Sequence, residues 1–140
     1  MRVDWKPGTL IYPLPAVLIS CGTMEDGGAN ILTASWVSTA CTNPPMCVVG
    51  IRPERHSHSI IKEHGAFGIN LSTVSMARET DWCGVVSGRK EDKFASCSFT
   101  KEAGSVLGVP LIEESLISLE CRVRVITSLG SHDLFLADIM

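Results

Sequence analysis

Charge is scarce in this sequence. Asp, Glu, Lys and Arg make up 19% of its 140 residues against 45% for hydrophobic types, a ratio that excludes a disordered chain and fits one well-buried globule rather than two domains. Basic runs are absent and the net charge is −3, so the electrostatic footprint of a nucleic-acid binder is missing. Long apolar runs are absent too. The stretch from Leu10 to Ile19 is too short to span a bilayer and is interrupted by Pro13 and Pro15, and Met1 to Gly8 has no Arg/Lys-rich leader. A soluble, cytoplasmic protein with no membrane partner is expected.

Several chemistries lack their signatures. No Cys-x-x-Cys occurs among the six cysteines at 21, 41, 47, 83, 97 and 121, which removes the usual zinc ribbon and thioredoxin-type motif and leaves buried free thiols with no close pair as the expectation. Gly-x-Gly-x-x-Gly, the phosphate loop ending in Gly-Lys-Ser/Thr, Gly-x-Ser-x-Gly and His-Glu-x-x-His are all missing. His56, His58 and His64 lie in a charged segment where solvated imidazoles are the simpler reading, so no metal site is expected.

What is present reads mainly as strands. Leu10 to Cys21 is apolar and stops at a Gly-containing turn; Ala29 to Val37 follows, and Asn43-Pro44-Pro45 precedes a buried run from Met46 to Ile51. Ile60, Ile61 and His64 at helical spacing, with Ser57 or a neighbour as cap and Gly65 as stop, predict a short helix. Phe67 to Leu71 is a strand, and a second helix opens at Ser75, its cap candidate, and runs toward Gly84 to Gly88. Ser96 to Leu107 reads as loop with one short irregular strand. Leu119, Cys121, Val123 and Val125 alternate with Ser118, Glu120, Arg122 and Arg124, which gives a strand with one dry and one wet face. A turn at Gly130 to Asp133 returns into Leu134 to Ile139. Many strands with two short helices predict a mainly β protein, a closed or nearly closed β-barrel.

Two segments carry chemistry. Arg52 follows a buried strand and precedes Ser57 and Ser59 at a helix start, where guanidinium, hydroxyls and free amides suit a phosphate; equally, Arg52 could pair with Glu54 while Ser57 only starts the helix. Asn30 to Trp36 combines small hydroxyl and methyl side chains with one large aromatic, which lets a flat ligand approach the backbone; an ordinary amphipathic strand with Trp36 in the core fits equally well.

In order and spacing these segments resemble the flavin reductase-like family, in particular its flavoredoxin-type members. The resemblance runs from Trp5-Lys6-Pro7-Gly8 and Tyr12-Pro13-Leu14-Pro15 through Asn30 to Trp36, Asn43-Pro44-Pro45-Met46 and Arg52-Pro53-Glu54-Arg55. It continues through Phe67 to Leu71, Asp81-Trp82-Cys83-Gly84, Ser87-Gly88-Arg89, Asp92-Lys93-Phe94, Glu120-Cys121 and Gly130-Ser131-His132-Asp133. It implies a single FMN-binding split β-barrel domain, Greek-key-like, over residues 1–140. It also implies a homodimer with flavin near the subunit boundary and NAD(P)H as co-substrate.

By position, Asn30, Thr33, Ala34, Ser35 and Trp36 would line the ring and ribityl chain, and Arg52, Ser57 and Ser59 would take the phosphate. Asn70, Ser87 and Lys93 match further positions near the flavin, and His132 would position a hydride donor. His56 and His58 depart from the family pattern. The family's further β-structure after the strand ending at Met140 is not in this sequence, which implies either a partial sequence or a barrel that closes differently. Electrons would pass to free flavin, a ferric complex or a partner protein; the alternative is a non-enzymatic FMN carrier reduced by a partner.

Overall fold

The computed structural model describes residues 1–140. Its main sheet has seven strands in the order β2-β1-β5-β8-β9-β4-β3, every neighbouring pair antiparallel. The strands are β1 (Val17–Gly22), β2 (Ala29–Ala34), β3 (Val37–Cys41), β4 (Met46–Ile51), β5 (Ala66–Leu71), β8 (Ser118–Ser128) and β9 (Asp133–Ile139). A small hairpin of β6 (Lys101–Ala103) and β7 (Pro110–Ile112) forms a second sheet. Three short helices, α1 (His56–His64), α2 (Ala77–Val85) and α3 (Lys93–Ser96), accompany them, with a 3₁₀ turn, Val74–Met76, leading into α2. The large sheet curls into a half-barrel, the split-barrel architecture.

Four local expectations are corrected. The first strand starts at Val17, not Leu10, because Pro13 and Pro15 cannot donate to a ladder, and Leu10, Ile11 and Tyr12 stay exposed. Ala29 to Val37 is not one strand. The chain bends at Ser35 and Trp36, so that β2 and β3 lie on opposite edges of the sheet. Ser57 and Ser75 do not cap their helices. Ser57 lies inside α1, whose N-cap is Arg55 without a side-chain bond, and Ser75 sits in the 3₁₀ turn bonded to the Thr73 hydroxyl at 2.9 Å. Gly65 does end α1, left-handed at φ 69° with its N–H on the Ile61 carbonyl at 2.8 Å.

The alternation along β8 fails at two places for two reasons. A bulge between Val123 and Val125 turns Val125 outward and brings Ile126 against the core. Glu120 is buried because its carboxylate accepts the N–H groups of Val106 at 2.9 Å and Leu107 at 2.5 Å. α3 and β7 were not anticipated; Asp92 caps α3 by accepting the Ala95 N–H at 3.2 Å.

β1 is buried on both sides, which explains its unbroken apolar run. Val17, Ile19 and Cys21 join Phe67, Phe135, Val49 and Cys121 inside the half-barrel, while Leu18 packs outward with Ile31, Met76, Cys83 and Phe94 beneath α2 and α3. Each fully buried large side chain here contributes about 1.5–3 kcal/mol. Two pairs of free thiols come close, contrary to expectation: Cys47 with Cys121 and Cys83 with Cys97, each with sulfurs 3.7 Å apart. Residues far apart in sequence are brought together here by packing alone. No helix is long and apolar enough to cross a membrane.

Candidate functional site

Two adjoining clefts open beside the bend between β2 and β3, and both are lined by Leu32 and Arg55. The first, of about 220 Å³, lies between the approach to α1 (Glu54 to Ser57) and the segment after α2 (Val85 to Arg89), with Asn30 and Lys93 completing it. Asn30 donates from Nδ2 to the Ser57 hydroxyl at 2.8 Å. Gly88 presses against that amide so closely that a Cβ there would overlap the Asn30 Oδ1.

Two arginines span the walls in opposite senses. Arg55 donates from Nη1 to the Gly84 carbonyl at 3.1 Å, and Arg89 from Nη1 to the Glu54 carbonyl at 3.1 Å. Lys93, only 2% exposed, donates from Nζ to the carbonyls of Ile31 at 2.8 Å and Cys83 at 2.7 Å, which leaves one of its three protons for another acceptor. Burial lowers its pKa, and nearby Arg55 lowers it further. His56 is likewise lowered, by burial and then by Arg89 and Lys93. The first turn of α1 adds N–H groups with no partner within the helix.

The second cleft, of about 210 Å³, is lined by Thr33 to Trp36, Gly50 to Arg52, Arg55 and His132. Thr33 spends its hydroxyl proton on the Thr80 carbonyl at 2.5 Å, so it contributes shape rather than a free donor. Trp36 is 43% exposed and stacks on His132, ring centroids 4.3 Å apart. His132 Nδ1 pairs with the Ser131 hydroxyl at 2.8 Å, and burial, then Arg52, lowers the ring's pKa. Beyond Trp36 and His132 lies a cavity of about 610 Å³ with Ile11, Leu14, Val37, Val48, Leu129 and Leu134 in its lining.

Asn30, Ser57, Ser87 and Lys93 therefore meet in the first cleft, and Thr33, Ala34, Ser35, Trp36, Arg52 and His132 in the second. Arg52 and Ser57 do not converge as the sequence suggested; the guanidinium common to both clefts is Arg55, three residues on. Ser59 is exposed, its hydroxyl on the His56 carbonyl at 3.4 Å, and lines neither cleft.

Asn70 is fully buried between β1 and β8. Its amide donates to the Leu18 carbonyl and the Ser20 hydroxyl, each at 2.9 Å, and accepts from Ile112 N–H at 3.0 Å and Ser118 hydroxyl at 2.8 Å. That amide has nothing left for a ligand. Arg55, Arg89, Glu54 and His56 were not anticipated as lining residues. The only signal for the arginines was their place inside motifs already noted, Arg52-Pro53-Glu54-Arg55 and Ser87-Gly88-Arg89.

The model of the flavin reductase like domain family matches residues 9–140. Among solved structures the chain is similar to the flavoredoxin of Desulfovibrio vulgaris (Miyazaki F), with 31% identity and a TM-score of 0.90, covering all of this chain and 74% of that one. Flavoredoxin from Methanosarcina acetivorans gives 33% and 0.89, covering all of this chain and 73% of the other. An FMN reductase (NADH), RutF, of Agrobacterium fabrum is 27% identical over 82% of this chain and 65% of its own length.

Proposed function

We propose, for a chain that belongs to the flavin reductase-like family and so has a flavin-related redox function, that it is an FMN-dependent oxidoreductase using NAD(P)H. The observation that carries this reading is the pair of joined clefts: a cationic end with amide and hydroxyl donors, and an open end floored by small residues and walled by Trp36. Residues at both ends fit FMN. One proton of Lys93, the Arg55 and Arg89 guanidiniums and the first-turn amides of α1 would hold one phosphate. Ala34, Ser35 and Gly50 leave room for a flat ring against the backbone.

FMN held there would supply the redox chemistry that links NAD(P)H to free flavin, a ferric complex or a protein partner. The chain's own residues bind, orient and shield. Trp36 and His132 wall the open side, and His132, held by Ser131, positions the donor without supplying a proton. FMN is favoured over FAD because the cationic groups gather around one phosphate-sized site and no second phosphate-binding glycine motif exists.

Likeness to two flavoredoxins favours a second reading, an FMN electron carrier reduced by a partner protein. The visible spectrum of the purified protein, followed by anaerobic titration with NADH and then NADPH, separates the two. Bleaching of a yellow protein by either nucleotide supports the enzyme; a yellow protein that neither bleaches is the carrier. A colourless protein that takes up no FMN overturns both.

The apolar cavity beyond Trp36, with exposed Ile11 and Leu129 at its margin, fits a second copy of this chain as the missing wall of the open cleft. An obligate interface of that kind buries more than about 2,000 Å² in total. Sedimentation at low micromolar concentration tests it. A monomer that holds FMN tightly would show the site complete within one chain.

A further inference from the structure

Away from the flavin proposal, the structure brings together two thiols that neither cleft uses. Cys83 lies in the last part of α2, fully buried, and Cys97 follows α3 as its C-cap, half-buried. Their sulfurs are 3.7 Å apart.

We propose that Cys83 and Cys97 form a thiol–disulfide exchange site for small-molecule disulfides, with Cys97 as the entering thiol and Cys83 as the resolving thiol. Exposure sets the order: an external disulfide can reach Cys97 but not Cys83. Cys97 gives its proton to water, and its thiolate attacks one sulfur of the external disulfide, expelling a thiolate that takes a proton back from water. The Cys83 thiol then loses its proton by the same route, and its thiolate attacks Cys97 Sγ and expels the second external thiolate, which is protonated in turn. Two cysteine thiols and one external disulfide become one internal disulfide and two external thiols, so atoms and electrons balance, and the reverse reaction returns two electrons to the pair.

The bond needs the sulfurs at about 2.05 Å. Lys93 and Phe94 hold the start of α3, and α2 is anchored at Cys83 and Gly84, whose carbonyls hold Lys93 and Arg55, so the gap closes at and just beyond the exposed end of α3, from Ala95 to Ser98. Three charged or titratable influences face each thiol: the other thiol, Glu79 and Lys93. Burial pushes Cys83 up to about 12, with Cys97 and Glu79 adding to the rise and Lys93 opposing it. Burial also raises Cys97, with the Cys83 hydrogen bond and Lys93 opposing the rise and Glu79 adding to it. Both are therefore protonated at neutral pH, and exchange quickens as pH rises. The other close pair, Cys47 and Cys121, is shut inside the half-barrel, out of reach of an external disulfide, and serves as an internal control.

The test uses the full chain with excess oxidised glutathione, free thiols being alkylated after an acid quench and the products read by intact mass and peptide mapping. Wild type is expected to show Cys83 linked to Cys97 with glutathione on neither, and both Cys47 and Cys121 alkylated, half-buried Cys41 being mapped separately. Cys83→Ser is expected to stop at a glutathione adduct on Cys97, and Cys97→Ser to give neither adduct nor bond. The rate is expected to rise with pH as more of Cys97 becomes thiolate. A lasting adduct on Cys97 or Cys83 of wild type, no reaction at either, a linked Cys47–Cys121 in place of Cys83–Cys97, or an adduct on Cys83 in Cys97→Ser overturns the site. A rate that does not change with pH overturns attack by the Cys97 thiolate. The wild-type measurement needs no variant to fold, and its outcome does not depend on whether FMN binds.

Discussion

Trp36 and His132 stack with their ring centroids 4.3 Å apart and their planes inclined by 35°, and in doing so they form the wall between the open cleft and the apolar cavity behind it. The stack joins the bend after β2 to the turn before β9, two points 96 residues apart in the chain. His132→Ala is expected to raise KM for the nicotinamide several-fold while kcat and FMN affinity change little. Because the ring's pKa is lowered from 6.5, it is neutral above that value. The kcat/KM profile from pH 7 to 8 is therefore flat with respect to His132; a fall across that range would make it a proton donor.

Arg55 touches both clefts, whereas Arg52 lines only the open one. Arg55→Ala is expected to cost about 1.5–3 kcal/mol of FMN affinity, roughly one to two decades in Kd, and Arg52→Ala less. Riboflavin, which lacks the phosphate, should respond to neither. Titration by flavin fluorescence checks this, and equal losses for FMN and riboflavin would remove Arg55 from the phosphate end.

Asp133 accepts a 2.7 Å hydrogen bond from His58, which holds its carboxyl below the ordinary value of 3.8. A carboxyl whose pKa is lower folded than unfolded stabilises the fold fully above the unfolded value and loses that contribution as pH falls through the folded one. Asp133→Asn is thus expected to be less stable than wild type at pH 7, with the gap narrowing below about pH 3.8. Urea unfolding at several pH values reads this directly. A gap that stays constant with pH would mean that the carboxylate's charge contributes nothing.

Gly88→Ala would drive a methyl group into the Asn30 amide. Asn30 has to rotate and release Ser57, so the variant should lose about 1–3 kcal/mol of stability together with FMN affinity. Thermal melts and flavin titration report the two effects, and wild-type values for both would show that Asn30 is free to move.

How much of this was legible in the sequence depended on distance along the chain. β4, β5, β9, α1 and its stop at Gly65 are fixed by local pattern and turn chemistry, and they stand where the residues suggest. The break at Ser35 and Trp36 was not legible, because neither residue prevents a strand from continuing; the bend arises from β2 and β3 pairing with different partners. Glu120 read as a wet-side residue because its alternation is correct and only the loop folded over it, at Val106 and Leu107, makes it buried. The motifs located the site region, but Asn70 matched by position while its amide is wholly occupied within the sheet. Arg55 and Arg89 were hidden because an arginine's reach across a cleft is a property of three-dimensional proximity, not of spacing.

Two residues, Ser35 and Trp36, are all that separates β2 from β3, yet those strands are the outermost members of a seven-stranded sheet. The sheet is therefore a split ring, and this dipeptide is the hinge at which its two ends meet. A flat molecule lying against the hinge rests on both ends at once, through Ala34 on one and Gly50, in the strand paired with β3, on the other. Its seating and the closure of the ring become one linked equilibrium, in which whatever favours either favours both.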